Sequence, residues 1–336
     1  MYRLLLKAFL VFLLPSAALA DDKAVAEFYG KRTVTIAVGF SPGGNYDLYA
    51  RLVSRHIGRH IPGNPTVIVQ NMPGAGSRRL ANTLANVGPH DGTMIGLPNQ
   101  GIAMDQALGT EGVKFDARKF NWIGSPIEDN NVFWGWHTNP VKTIEDARQQ
   151  EFVVGATGPG SPTHYYPRIM NDLLGTWFKV VSGYPGSNEL DFAIEKDEVG
   201  GRVVSWTGLK TTADWVATGK ANVMLQFGLR KTAALPQVRM LQDLAGSPKH
   251  REIFEFPCLV PAMGRPFFVP SGAPPERVAA IRAAFAATMK DPGFLEDARR
   301  ARLDVEPLTG EEIAEIVAKS FNAPEDVRAV GKKVME

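Results

Sequence analysis

A single cysteine in 336 residues excludes an internal disulfide, so the fold must be held by packed cores. Cys258 lies in the apolar stretch FPCLVPAM, the setting of a buried structural thiol. No G-x-x-x-x-G-K-[ST] occurs, which excludes a nucleotide P-loop. An excess of either charge is also missing. Without Arg3 and Lys7 the 37 basic residues fall to the number of acidic ones, 35, and nothing points to nucleic acid or an anionic membrane surface. Metal-ligand spacing is absent too. His56 and His60 stand four apart, but no carboxylate neighbours them in sequence and Arg51, Arg55 and Arg59 crowd the same segment, which reads as a basic, partly solvated helix edge. Asp91, His137 and His250 have no spacing that would bring them together, and no cofactor motif is found. There is no repeat of fixed period and no low-complexity tract.

Long hydrophobic runs are likewise lacking, with one short exception. Arg3 and Lys7 precede the apolar run 8–14, and Ala18-Leu19-Ala20 is a small-residue cleavage pattern. This is a secretory signal peptide over 1–20, cut after Ala20, because the run falls far short of the ~20 residues a membrane span needs. The mature chain is expected in the periplasm. No cysteine follows the cut, so no lipid anchor is expected there.

What remains is 44% hydrophobic and 21% charged overall, an ordinary soluble composition, on a length that one core rarely serves. Short β-branched runs alternate with helical patterns. TVTIAVGF is followed by a helix over 46–60, TVIVQNM by one over 77–87, then TMIGL. The rhythm restarts at FVVGATG with a helix over 163–174, FKVVSGY, a helix over 189–195, RVVSW and ANVMLQFG. Two α/β units with parallel strands therefore lie in series. The C-terminal part is helical, with one helix begun near PSGAPPERVAAIRAAF and another over 310–321. Two apolar, aromatic, proline-ended segments, 132–140 and 264–272, are expected to cross between the units. The first lobe is then 30–131 plus 263–336, whose helices rest on its sheet, and the second is 132–262.

Chemistry is concentrated at two strand ends. FSPGGNYD (40–47) turns through two glycines into a helix, leaving unpaired N–H groups and a favourable dipole for an anion. Glycine also lets a ligand approach bare backbone. Asp47 either caps that helix or meets a ligand. GATGPGSPTH (155–164) is a second glycine-rich strand end, opening a helix with Ser161, Thr163 and His164. In open α/β sheets ligands bind at the carboxyl ends of strands, and a ligand fits between two such ends that face each other.

The motifs PGGNYD (42–47), NMPGAGS (71–77), PHDGTMIGL (89–97), GPGSPTH (158–164) and GAPPERVAAIRAAFAATMKDPGF (272–294) occur in order within 33–320. Together they resemble the Bug-type, or TctC-like, solute receptors of tripartite tricarboxylate transporters. The resemblance implies an α/β, two-lobed Venus-flytrap periplasmic-binding-protein fold of the type II kind, with the ligand cleft between the lobes. It further implies a monomer that binds a small di- or tricarboxylate and delivers it to membrane permease subunits rather than performing catalysis. Residue by residue, Pro42, Gly43, Gly44 and Asp47 match the family's first ligand loop, and Ser161, Thr163 and His164 match the loop from the second lobe. Asn71 and the turn 73–76 match a third segment at the cleft edge. Their neighbours Ser41, Asn45 and Gly160 join the candidate set, as do Tyr184, Ser205 and Trp206 on the second lobe. The stretch 182–206 is longer and more acidic than the family's, with Ser205, Trp206 and Thr207 in place of an aspartate-containing strand end.

Other readings stand beside these. An exported hydrolase could use Ser161 and His164 in the same cleft, although no base–orienter partner can be named. A receptor serving a sensor or another class of transporter would have the same sequence features. Trp134 and Trp136 are expected in core and hinge packing, whereas Trp206 either stacks on a ligand or fills core. Glu195, Asp197 and Glu198 are expected to face water.

Overall fold

The computed structural model describes residues 16–159, 161–211 and 214–335. From the N-terminus run α1 (Ser16–Tyr29), β1 (Thr33–Val38), α2 (Asn45–Ile57), β2 (Thr66–Asn71), α3 (Arg78–Asn86), β3 (Met94–Leu97), α4 (Ile102–Ala107) and β4 (Asn121–Ser125). Next come β5 (Asn131–Trp136), β6 (Phe152–Ala156), α5 (Pro162–Leu174), β7 (Phe178–Ser182), α6 (Ser187–Glu195), β8 (Gly201–Ser205), α7 (Trp206–Thr211), β9 (Ala221–Phe227) and α8 (Pro248–Ala262). The chain ends with β10 (Phe267–Val269), α9 (Pro275–Thr288), α10 (Pro292–Arg300), β11 (Leu308–Thr309), α11 (Gly310–Phe321) and α12 (Glu325–Met335).

These strands form two sheets, β11-β4-β10-β3-β1-β2 and β7-β6-β8-β5-β9, and so two lobes. Both follow one plan. Three strands linked by helices run parallel, as β2-β1-β3 and β7-β6-β8. Beside them lies an antiparallel strand supplied by the chain soon after it arrives from the other lobe, β10 in the first and β5 in the second. Strand alternation then feeds a core on each face. Val34, Ile36 and Val38 of β1 pack with Ile281 and Phe285 of α9, whereas Ala37 faces Leu80, Leu84 and Phe268.

Two expectations from the sequence change here. Residues 132–140 are not a bridge: β5 pairs with both β8 and β9, and all six of its residues are buried, so its apolar run is that of a central strand. The chain changes sheet over 126–130 and 263–266. Nor do all C-terminal helices rest on the first lobe. α12 packs on α5 and α8 of the second, with Val327 in the core beside Tyr165 and Phe256. Its ends are pinned by Lys333–Asp172 (2.5 Å) and Lys249–Asp326 (2.6 Å).

α8 forms despite Pro257 and Pro261 in its interior. Pro261 has no N–H for the carbonyl of Pro257, and the buried Tyr166 hydroxyl donates to that carbonyl instead, at 2.8 Å. Cys258 is buried in this helix, and burial pushes its thiol up to about 12, so it is an inert core group. Of the expected signal peptide, residues 1–15 lie outside the described residues, while 16–20 begin α1, which continues past the expected cut. Among the described residues no helix is long and apolar enough to cross a membrane.

Candidate ligand-binding cleft

The loop between β1 and α2 is organised by its own aspartate. Asp47, only 1% exposed, accepts from the Gly43 N–H (2.8 Å), Arg51 Nε (2.7 Å) and Asn71 Nδ2 (2.9 Å). Asn71 Nδ2 also donates to the Phe40 carbonyl. Burial alone would push the Asp47 carboxyl up, but these three donors outweigh it and hold it below the usual range. Gly43 adopts φ +83°, the left-handed turn that glycine permits, whereas Gly44 is extended at φ −74°. The first N–H groups of α2 have no intrahelical partner, and Gly44 and Asn45 present this end of the helix to a cavity between the lobes.

Across the cleft, the β6–α5 loop is tied by hydroxyls. Thr163 Oγ1 accepts from the Thr157 N–H (3.0 Å) and lies 2.7 Å from Ser161 Oγ, which donates to the Gly158 carbonyl (2.8 Å). His164 points elsewhere: Nδ1 meets Ser182 Oγ at 2.8 Å and Nε2 faces Arg168. Burial first, then the charges of Arg168 and Arg78, lower its pKa to about 4. The side chains of Ser161 and His164 are therefore not hydrogen-bonded to each other, and the hydrolase reading gains no support.

The lobes meet at both rims of the cavity. Ser41 Oγ donates to Glu189 Oε2 (2.9 Å) and Asn188 Nδ2 to the Pro42 carbonyl (3.0 Å), joining the first loop to the start of α6. On the other rim, Gly76 lies against Pro159 and Gly158. Between these rims the cavity measures about 60 Å³, room for a few waters.

Among the described residues its wall contains two arginines and no acidic side chain. Arg202 of β8, 2% exposed, pairs with Asp191 of α6 through Nε and Nη2, both at 2.8 Å. Arg265, 1% exposed, stands in the segment returning to the first lobe. Its Nε and Nη2 donate to Asn45 Oδ1 (2.8 and 2.5 Å) and Nη1 to Gln100 Oε1 (3.3 Å) and the Gly264 carbonyl (3.1 Å). Nη2 also donates to Ser205 Oγ, and Asp129 lies 3.5 Å away. Burial pushes the Asp129 carboxyl up to about 6, opposed by Arg265 and by Thr207.

Of the candidates, Gly44, Asn45, Ser161, Thr163 and Ser205 line this cavity together. Ser41, Pro42, Gly43, Asp47 and Asn71 support or bridge it without lining it. Tyr184 sits in an adjoining depression with Gly74 and Ser182, and His164 is held beside it by Ser182. Trp206 packs in the second lobe's core and opens on two other depressions, and Gly160 lies outside the described residues. The sequence reading did not select Arg202, Arg265, Gln100, Asn131 or Thr157, which also line the cavity. Trp134 and Trp136 are core residues, and Glu195, Asp197 and Glu198 face solvent. His56 and His60 do meet carboxylates, Asp297 and Asp291 of the α10 end, at 3.0 Å each. They form a polar seam with Arg59, and among the described residues no group of three or more side chains could hold a metal ion.

This architecture is that of a two-lobed periplasmic binding protein. Its structural neighbours are of the Bug and TctC kind. The periplasmic binding protein BugD superposes with a TM-score of 0.71 at 18% identity, over 90% of this chain and 98% of that one. A Rhodopseudomonas palustris protein, Rpa4515, solved with adipate, gives 0.70 at 20% identity, over 90% and 97%. MatC from Rhodopseudomonas palustris, with bound malate, gives 0.69 at 17%, over 91% and 99%. In sequence the chain is 24% identical over 323 residues to a Cupriavidus necator protein described as a UPF0065 protein in the gbd 5′ region, covering 89% of this chain and 87% of that one. No family model matches the chain.

Proposed function

We propose that this protein is an extracytoplasmic solute receptor of the Bug/TctC family that binds a small organic di- or tricarboxylate between its lobes and does not transform it. The observation that carries this reading is the wall of the cavity. Two guanidinium groups, side-chain amides, hydroxyls and a helix N-terminus converge there without a lining carboxylate, the environment an anion requires. The adipate- and malate-bound neighbours support the same ligand class. The chain is exported to the periplasm by residues 1–20, cut after Ala20, and acts as a monomer that hands its ligand to permease subunits of a tripartite tricarboxylate-type transporter. Its lobes are 30–131 with most of 263–336, and 132–262, joined by a hinge at 126–130 and 263–266. Ligand closes that hinge.

Titration calorimetry and thermal shift with a panel of dicarboxylates test the reading. At least one acid should bind at one site, raise the unfolding temperature and be recovered unchanged after prolonged incubation. Turnover of the bound acid, or no binding across carboxylates of two to seven carbons, refutes it.

A further inference from the structure

Two residues that line the cavity, Phe40 of the first lobe and Thr157 of the second, also line the adjoining depression that holds Gly74, Ser182 and Tyr184. Both are half-buried, and Phe40 packs on Tyr46 with ring centroids 4.6 Å apart. The two spaces differ in size and chemistry. The inner one, about 60 Å³, has room for one carboxylate and the carbon or two beside it. Its wall carries the charge, in Arg202 and Arg265, and the N-terminal end of α2 at Gly44 and Asn45. The outer one measures about 410 Å³. Among the described residues its wall has no charged side chain and consists of glycine and proline backbone, small side chains and the rings of Phe40 and Tyr184. Arg78, next to this wall in sequence, donates to the Ala75 and Glu111 carbonyls. Pro159, Gly183 and Pro185 of the outer wall are exposed, so this space opens to solvent.

We propose that the cleft selects its ligand by length: one carboxylate sits in the inner space, the chain passes between Phe40 and Thr157, and the remainder lies in the outer space. The ligand is then a linear dicarboxylate of about six carbons or more, because a shorter acid leaves the outer space to water. The proposal rests on the receptor reading and deepens it by naming the ligand class. The far carboxylate, at the open side of the outer space, keeps its hydration and needs no ion-pair partner there. The methylenes between the two carboxylates leave water for the rings and backbone of the outer wall, so affinity grows with their number. A four-carbon acid held by the inner space forgoes that gain.

The test is titration calorimetry with succinate, glutarate, adipate, pimelate and suberate on wild type, Thr157→Leu, Thr157→Val and Tyr184→Ala. In wild type each methylene from succinate to adipate should raise affinity about 4-fold, so adipate should bind at least about 10-fold more tightly than succinate. Thr157→Leu fills the passage and should bring the adipate-to-succinate ratio below about 3-fold. Thr157→Val keeps the width of threonine and should restore the ratio to more than about 5-fold. Tyr184→Ala removes a ring that lines only the outer of the two spaces, and should lower the ratio at least about 3-fold. Circular dichroism checks folding, and Tyr184→Ala carries the test if Thr157→Leu does not fold. Succinate binding to wild type as tightly as adipate, or a wild-type ratio in the folded Thr157→Leu and Tyr184→Ala variants, overturns the assignment. Absence of binding by every acid of the series refutes instead the receptor reading on which it stands.

Discussion

Asp47 is the residue whose substitution most sharply separates a ligand contact from a loop support. Replacing it by Asn keeps the shape but removes the charge, and places an NH2 group where one of three donors now points. Gly43 N–H, Arg51 Nε and Asn71 Nδ2 converge on its two oxygens, and only one amide oxygen remains to receive them. Hydrogen bonds to a buried charged group contribute about 1.5–3 kcal/mol each, but Arg51 is 47% exposed, so its share is discounted for solvent screening. The net cost of Asp47→Asn should then be about 2 kcal/mol, equivalent to a fall of roughly 4–8 °C in Tm if the first lobe unfolds as a unit. The pH dependence has a definite sign. The folded carboxyl lies below its unfolded value, so its stabilisation is complete above the unfolded pKa of about 4 and is lost as pH falls through the folded pKa. Urea unfolding at pH 7 and in the acid range should show the variant's deficit shrinking as the pH drops. Calorimetry on the folded variant should show affinity for the bound acid reduced by less than about 10-fold, the loss of a supported loop rather than of a direct charge-assisted bond. Unchanged stability with a 100-fold loss of affinity would refute this assignment and place Asp47 on the ligand.

Two further outcomes follow from buried groups and turns. Asp105 of α4 is 0% exposed, and burial pushes its carboxyl up to about 7 against the opposing charge of Arg78, 3.8 Å away. The folded state therefore keeps this proton to higher pH than the unfolded chain does, and stability is lost as pH rises from about 4 to 7. Relative to wild type, Asp105→Asn should be more stable at pH 8 than at pH 5 by roughly 2–4 kcal/mol of relative change, measured by chemical denaturation; parallel pH profiles would sink it. Gly43→Ala should cost about 1–2 kcal/mol through its left-handed φ and crowd Asn188 Nδ2, 2.6 Å from the added Cβ. Gly44→Ala, extended and 3.5 Å from Ser187 Cβ, should fold and unfold like wild type, and equal Tm losses in the two would contradict this difference.

Much of the scaffold was legible because its signals are local. The β-branched runs became β1, β2, β6 and β7, and the glycine-rich strand ends led into α2 and α5 within a residue of the expected starts. The proline of SPTH became the first residue of α5, where a missing N–H costs nothing, and Thr309 with Glu312 forms the capping box that begins α11. Long-range pairing was not legible. The aromatic run VFWGW has the apolar pattern of either a crossing segment or a central strand, and only the partners β8 and β9 decide between them. α8 carries two prolines that argue against a helix, and what offsets one of them is a tyrosine hydroxyl 91 residues away.

The cleft residues divide along the same line. Asp47, His164 and Trp206 stand close to strand ends and carry conspicuous chemistry, which made them candidates. Each is engaged in holding the protein to itself: Asp47 with Gly43 and Asn71, His164 with Ser182, and Trp206 in the second lobe's core. The groups that face the cavity from Arg265, Gln100 and Asn131 come from a return segment, a loop after β3 and the first residue of β5, separated by up to 165 residues. No spacing rule connects them, because the antiparallel strands inserted into each sheet bring them together. The buried guanidinium of Arg265 is itself fully engaged. Its charge is matched by Asp129, and its donors are taken by Asn45, Gln100, Ser205 and the Gly264 carbonyl. Such an arrangement avoids leaving an unpaired arginine in a cleft between two lobes.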